Sequence, residues 1–553
     1  MPKQDITVGQ LKDKVLSGEL TLPEMQRRYV WTGVKVRDLL DSLYRGYPSG
    51  TILVWETDII QNDRELQIQD AVKTTLSSKL LLLDGQQRLT SLTAILSGNP
   101  VMVRNKKRPI DIMFNLDHPD TFLEEMTVVE NEEEFDDDED DNDEDENDIL
   151  EELRKRTFVV ASRSLKNDPN WVSVTDIFKK TDSQILKPLN INSDDARWDK
   201  FSERIKKVRR IEDYNYVMQI LDKKMSYEEV TEIFVRVNSL GVKLRGSDLA
   251  LAQITSRWTG FMHELEKFAA EFDNNEEYLH ETGIMIKSLV AFATNQSKYK
   301  TVGRVPLESF KLSWEKAKTG LRYAINFLNS NVRIENLRLL SSPFLLLPIA
   351  YYAIQKNERI TDEEVKKILL WFYTAHMKGR YSKGSSESIL DSDLSVLNKT
   401  QSLDELLNSL RLQVKDFTVT AEEVKTKNRR SPYFSMLFFI YKQKAVKDWF
   451  TGIAISEKLT GRSHALQFHH IYPKSLLRDL NYDRREINEI SNLAFIVGKT
   501  NRTISNKEPK VYMTKILQER GKEVFTSQNI PHDPTLWELS SYRQFLEYCM
   551  SSK

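Results

Sequence analysis

Phe468-His469-His470-Ile471-Tyr472-Pro473-Lys474, followed by Ser491-Asn492-Leu493-Ala494 and then Lys499-Thr500-Asn501-Arg502, decides how the C-terminal part of this chain folds. Asn492 begins the apolar run Leu493-Ala494-Phe495-Ile496-Val497, which reads as a strand. The histidine pair sits in an apolar stretch that reads as its hairpin partner. Gly498-Lys499-Thr500 then leads to Asn501, where a helix starts. The expectation is strand, strand, helix, a ββα unit.

Those residue types carry a definite chemistry. Hydrolysis of a phosphodiester needs a base to activate water and a way to stabilise the transition-state charge and the leaving oxygen. A histidine with an ordinary pKa of about 6.5 serves the first need and a divalent cation the other two. Adjacent side chains of an extended strand point to opposite sides, so His469 and His470 take different jobs. One division makes His470 the general base and His469 a metal ligand. The Asn492 amide is then expected to hold the His470 ring in the working tautomer. The Asn501 carbonyl oxygen is a hard ligand suited to Mg²⁺ or Mn²⁺.

On these residues the segment resembles the HNH nuclease superfamily, and especially the C-terminal nuclease domain of GmrSD-type restriction enzymes. The matching positions are His470, Ile471, Pro473, Asn492-Leu493 and Asn501, with Lys507-Glu508-Pro509 where the family often has Lys and Pro. The departure is His469, where those relatives usually carry Glu or Asp. Imidazole keeps the ligand role but widens the choice of metal. Lys474, Lys499, Arg502 and Lys507 are the candidates for DNA phosphate contacts.

Asp84-Gly85-Gln86-Gln87-Arg88 stands near the other end, at an expected strand-to-helix junction. Glycine admits close backbone approach, helix N-terminal N–H groups favour phosphate, and an arginine can fork onto phosphate oxygens. Asp84 is expected to cap the helix. With Leu89-Thr90 behind it, this run resembles the signature of the N-terminal domain of GmrSD-type enzymes, which looks like the ParB/sulfiredoxin fold. Pro23-Glu24-Met25-Gln26-Arg27-Arg28-Tyr29-Val30-Trp31 and Ile233-Phe234-Val235-Arg236-Val237-Asn238-Ser239-Leu240-Gly241, with Leu244 and Asp248, resemble two further family segments. The resemblance implies nucleoside triphosphate binding, with GTP, CTP, UTP and ATP undistinguished, and NTP hydrolysis. The implied binding residues are Asp84, Gly85, Gln86, Gln87 and Arg88, joined by Arg27, Arg236 and Asn238. Three roles stay open for Asp84: binding Mg²⁺, activating water, or capping the helix. The segment 26–31 also suits DNA contact.

At 553 residues the chain is too long for one core. The reading is α+β and multidomain. Residues 1–254 form the nucleotide-binding α/β part, with an acidic insertion at about 124–152. Residues 255–418 form a helical connector with a polar loop at 379–393, and 419–553 form the nuclease domain. The one cysteine, Cys549, excludes an intramolecular disulfide and a multi-cysteine zinc site and fits a reducing cytoplasm, which the resemblance implies is bacterial or archaeal. No secretory leader is visible at the start, and apolar runs such as 344–350 are too short to span a bilayer. Residues 130–148 hold 15 acidic side chains and no basic one, so without them the net charge of −2 would be +13. The segment 421–553 carries 22 Lys and Arg against 14 Asp and Glu, a balance that suits a polyanion partner. The acidic insertion reads as a solvated loop or as a nucleic-acid mimic over a basic groove.

Together these readings give a nucleotide-regulated, metal-dependent DNA endonuclease acting on modified phage DNA. A nucleotide-dependent DNA-binding regulator with an inactive nuclease domain and an unspecific toxin-like nuclease are the alternatives. One metal per site cuts one strand per event, so double-strand breaks need a homodimer or two successive nicks.

Overall fold

The computed structural model describes residues 2–23, 29, 31–57, 79–103, 108–119, 153–161, 165, 168–240, 246–272, 282–334, 336–382, 386–414, 416–456 and 465–552. Arg27, the acidic insertion, Gly241, Leu244, Lys383, Ser385 and the side chain of Asn238 lie outside the described residues. The chain divides into two compact units, Met1–Met262 and His263–Lys553.

The first unit is α/β. Strand β1 (Lys3–Thr7) runs directly into helix α1 (Val8–Leu16), where Thr7 and Gln10 form a reciprocal capping box. Strand β2 (Leu20–Thr21), helix α2 (Gly33–Tyr44), strand β3 (Ile52–Thr57), strand β4 (Lys79–Asp84) and helix α3 (Gln86–Leu96) follow. A small antiparallel sheet then forms from β5 (Ile112–Asn115), β6 (Phe158–Val160) and β7 (Trp171–Ser173), with β5 in the middle. After helix α4 (Trp198–Arg209), strand β8 (Asn215–Leu221) returns to the main sheet, and helices α5 (Tyr227–Leu240) and α6 (Gly246–Thr255) close the unit.

The main sheet runs β1-β8-β3-β4-β2. The β1–β8 and β3–β4 pairs are antiparallel; β8–β3 and β4–β2 are parallel. Alternation along β3 and β4 sends side chains to two separate cores. Ile52, Val54 and Leu82 join the core built with α1, α2 and α3. Leu53, Trp55, Leu81 and Leu83 meet Val230 and Phe234 of α5 and Ala252 of α6 on the other face. A strand covered on both sides is apolar throughout, which is why Leu80-Leu81-Leu82-Leu83 carries no polar residue until Asp84 at its end.

Two sequence expectations need correction here. Asp84 does not cap α3: it is the last residue of β4, and Gly85 is the cap position, at φ 100°. The Asp84 carboxylate turns instead to Arg88. Ser247-Asp248 reads from its residue types as the N-cap of a helix, yet Ser247 lies one residue inside α6.

The second unit begins with helices. They include α7 (Thr282–Thr294), α8 (Leu307–Val332), α9 (Leu346–Gln355), α10 (Asp362–Met377), α11 (Ser386–Thr400), α12 (Leu403–Val414) and α13 (Pro432–Gln443). Helix α11 overturns the polar loop expected at 379–393. Leu390, Leu394 and Leu397 recur at helical spacing and are fully buried, so their burial decides the local structure over the polar residues between them. Arg380, 2% exposed, forms a two-pronged pair with Asp393, itself wholly buried, and Tyr381 donates to the same carboxylate.

The C-terminal segment holds β9 (Leu466–His470), β10 (Leu493–Val497), and helices α14 (Gly498–Ile504), α15 (Pro509–Arg520) and α16 (Tyr542–Ser552). The two strands are antiparallel, with His469 opposite Ala494 and His470 opposite Leu493. Strand β10 is buried along its length. Phe434 and Phe438 of α13 stack on Phe495 from one side, with ring centroids 4.9 and 5.4 Å away. Ala494 and Ile496 enter a core with Trp449, Tyr512 and Phe525 on the other. The outer edge of β10 is satisfied by Gln528, whose amide accepts from Phe495 N–H at 2.8 Å and donates to its C=O at 2.9 Å, as a third strand would.

Candidate functional site

In the second unit, the order strand, strand, helix brings His469 and Asn501 together. His469 faces away from His470, as strand alternation requires, and enters the core side of the hairpin. Its Nδ1 lies 2.7 Å from Asn501 Oδ1 on α14. Oδ1 can only accept, so Nδ1 carries the proton in this arrangement. Nε2 is buried with no hydrogen-bond partner among the described residues. The ring meets Trp449 and Tyr512 edge to face, at centroid distances of 6.3 and 5.8 Å. Burial pushes the His469 pKa down to about 4, partly offset by Asn501, so the ring is neutral at pH 7.

His470 is half-buried on the opposite side of β9. Its Nε2 bonds Asn488 Oδ1 at 3.1 Å, which places the proton on Nε2 and leaves the Nδ1 lone pair as the basic site. Burial, with the positive charge of Lys474 next in size, lowers its pKa to about 3.

Asn492 does not hold the His470 ring. Its Oδ1 accepts from Tyr472 N–H at 2.8 Å, and its Nδ2 donates to Tyr472 C=O at 3.2 Å and Ile487 C=O at 3.0 Å. The amide, wholly buried, is spent on the backbone that leaves β9. The reason is register. Leu493 stands opposite His470, so Asn492 sits past the end of the paired strand, level with the chain at Ile471 and Tyr472. Asn488 is the ring's partner, and no motif pointed to it.

Of the four cations expected to meet DNA, Lys499, Arg502 and Lys507 are exposed and Lys474 is half-buried. Lys474 is the one whose charge reaches His470, together with Arg429. Lys507 also donates to Thr503 C=O at 2.9 Å.

The described residues contain no cluster of three or more His, Cys, Asp or Glu side chains that could hold a metal. The donors present still fit a hard divalent cation. His469 Nδ1 and Asn501 Oδ1, 2.7 Å apart, are a little closer than two neighbouring ligands of an octahedral ion, about 3.0 Å for bonds of about 2.1 Å, and Nδ1 would become a donor once the ring proton moves to Nε2. Such an ion keeps several waters, so two protein donors suffice when phosphate supplies a third.

In the first unit, Asp84, Gly85 and Arg88 meet at the end of β4. Arg88 Nη1 donates to Ser49 C=O, and Nη2 donates to Thr51 C=O at 2.8 Å and to Asp84 Oδ2 at 3.0 Å. Its guanidinium also lies 5.7 Å from the centre of the Tyr216 ring. A Cβ at Gly50, where φ is 95°, would sit 2.5 Å from Nη1; a Cβ at Gly85 would sit 2.6 Å from Ile52 Cδ1. Both glycines are therefore fixed by close approach as well as by backbone conformation. The arginine clamps the turn Ser49-Gly50-Thr51 onto the start of α3. Gln86 is buried, and Gln87 Oε1 accepts from Trp31 N–H at 3.1 Å. Arg236 is not brought to this cluster: it is exposed on α5, across the sheet, and pairs with Glu232 of its own helix. Tyr216 and Ser49, joined at 2.6 Å behind the clamp, went unnoticed in the sequence because only the return of β8 makes them neighbours.

Residues 8–255 match the family described as GmrSD restriction endonuclease, N-terminal domain. The match takes in Asp84–Arg88 and nearly all of the first unit. The chain is also similar to an uncharacterized protein of Methanocaldococcus jannaschii, 24% identical over 548 residues that cover 92% of this chain and 86% of that one. Among the described residues no helix is long and apolar enough to cross a membrane.

Proposed function

We propose that the chain is a nucleotide-regulated, metal-dependent DNA endonuclease of the ββα-metal type, acting on modified foreign DNA in phage defence. The observation that carries the proposal is the meeting of His469 and Asn501 at 2.7 Å across a strand and the helix that follows its partner. The similarity of residues 8–255 to a restriction endonuclease domain supports DNA as the substrate.

In this reading His469, with its ring proton moved to Nε2, and Asn501 would hold a Mg²⁺ or Mn²⁺ ion, which would supply charge to the phosphorane-like transition state and the leaving oxygen. His470 Nδ1 takes the proton of the attacking water. Asn488 keeps the ring proton on Nε2 so that Nδ1 stays available. The low pKa keeps His470 unprotonated at neutral pH but makes it a weak base, which the surrounding cations favour further by repelling an added proton. Lys474, Lys499, Arg502 and Lys507 attract and register the phosphate backbone.

In the first unit, a nucleoside triphosphate is bound where β4 gives way to α3. The N–H groups at the start of α3 meet phosphate, and Asp84 and Arg88 shape the turn. Recognition of modified DNA or nucleotide state licenses cutting.

The test is cleavage of modified phage DNA and matched unmodified DNA with Mg²⁺ or Mn²⁺, with and without NTPs, beside His470→Ala. Cleavage confined to modified DNA and lost in the variant supports the proposal. Nucleotide-dependent DNA binding with no cleavage in any condition overturns it in favour of a regulator. Cleavage of unmodified DNA without nucleotide favours an unspecific nuclease.

A further inference from the structure

The proposed ligand helix α14 is short, and its position is set from outside the ββα segment. Asp448 lies in the loop after α13 and is 1% exposed. Its own backbone is pinned in a tight turn: its N–H donates to Ile453 C=O at 2.8 Å and its C=O accepts from Gly452 N–H at 3.1 Å. Five hydrogen bonds end on its carboxylate. Oδ1 accepts from Val497 N–H at 2.8 Å. Oδ2 accepts from Thr500 Oγ1 at 2.6 Å, from Thr451 Oγ1 at 2.7 Å and N–H at 2.8 Å, and from Phe450 N–H at 3.2 Å.

Two of these bonds fall on the junction where β10 becomes α14. Val497 is the residue before the helix, and Thr500 immediately precedes Asn501. The next residue along the loop, Trp449, is fully buried and meets the His469 ring edge to face. One dipeptide thus supports both proposed metal ligands, holding the turn that carries Asn501 and walling the His469 imidazole. Helices of this length have little stability of their own, so the register of Asn501 follows its external contacts.

Resting on the metal-dependent reading above, we propose that Asp448, acting through Thr500, is a positioning residue that sets Asn501 Oδ1 against His469 for cation binding. It touches neither substrate nor metal. Partners that orient metal ligands typically govern affinity about 10- to 100-fold.

The experiment is Mn²⁺ binding to the full chain without DNA, followed by loss of the free-ion paramagnetic resonance signal, with folding checked by circular dichroism. Thr500→Val removes the hydroxyl at nearly constant shape, Thr500→Ser retains it, and Asp448→Asn replaces one acceptor oxygen with a donor. The inference expects Thr500→Val and Asp448→Asn to weaken Mn²⁺ binding about tenfold or more while Thr500→Ser binds as wild type. Should Asp448→Asn fail to fold, Thr500→Val decides. Folded Thr500→Val with wild-type Mn²⁺ affinity overturns the inference and leaves the metal reading standing. Wild-type binding that is absent, or indifferent to Asn501→Ala, overturns both.

Discussion

Asn492→Ala and Asn488→Ala should fail in opposite ways. The Asn492 side chain makes three hydrogen bonds to backbone groups, all in a region closed to solvent. Truncation leaves Tyr472 N–H, Tyr472 C=O and Ile487 C=O without that partner. A buried polar group stripped of its partner costs about 1–3 kcal/mol, so three of them, at the low end, cost about 3 kcal/mol. Against a domain stability of roughly 5–15 kcal/mol, that is a severe loss. Asn488 is half-buried and spends its Oδ1 on His470 and its Nδ2 on Arg484 C=O, so its truncation should cost less than about 1.5 kcal/mol. Its effect should fall on the chemistry, because the His470 ring loses the bond that fixes its tautomer. A slowing on the order of 10–100-fold is expected. Urea titration of the second unit's transition gives the first quantity and single-turnover DNA cleavage the second. Asn492→Ala that unfolds like wild type yet cannot cut would refute the reasoning, for then the amide serves the reaction.

Further expectations concern the scaffold. Gly85→Ala meets both a φ of 100° and a contact of 2.6 Å with Ile52, so it should destabilise the first unit by about 1–3 kcal/mol and lower any nucleotide affinity, read by thermal melting with and without NTP. Asp393→Ala leaves Arg380 buried without its carboxylate and should cost about 3–5 kcal/mol; a loss below 1 kcal/mol in urea would contradict the placement. His376 is fully buried, accepts from Ser341 N–H at 3.1 Å and hydrogen-bonds Ser435 at 3.0 Å, and burial lowers its pKa to about 4. The unfolded ring titrates near 6.5, so the unfolded state binds the extra proton between these values. The stability His376 protects is full above pH 6.5 and falls as pH drops toward 4, by up to about 3 kcal/mol. In His376→Asn that share of the acid slope should vanish, which urea midpoints at pH 7, 5.5 and 4.5 would show.

Much of the local structure was legible because burial follows periodicity. Val36, Leu39, Leu40 and Leu43 read as one face of a helix and form the inner face of α2, and the runs 51–56 and 79–83 read as strands and fall on β3 and β4 to within a residue. The hairpin of β9 and β10 and the helix after it were readable from one polar-to-apolar switch at Leu493 and one glycine at 498. What failed were contacts decided by register or by distant chain. Asn492 was expected at the His470 ring, but the pairing of Leu493 with His470 carries it past the strand end. Asp84 was expected to cap α3, but a glycine in a left-handed conformation stands between them. Helix α11 was hidden by its Gly- and Ser-rich approach, although Leu390, Leu394 and Leu397 already had its spacing. Asp448 reaches Thr500 across 52 residues of sequence, and no local signal announces such a bond.

The most direct test of the central claim is single-turnover cleavage of a labelled DNA duplex carrying base modifications, with Mn²⁺, by wild type, His470→Ala and Asn501→Ala. The account predicts Mn²⁺-dependent cutting by wild type and at least a hundredfold loss, on the order of a general base's contribution, in His470→Ala. It predicts a comparable loss in Asn501→Ala that added Mn²⁺ partly restores. Cutting that persists in both variants would place the chemistry elsewhere in the chain and contradict the account.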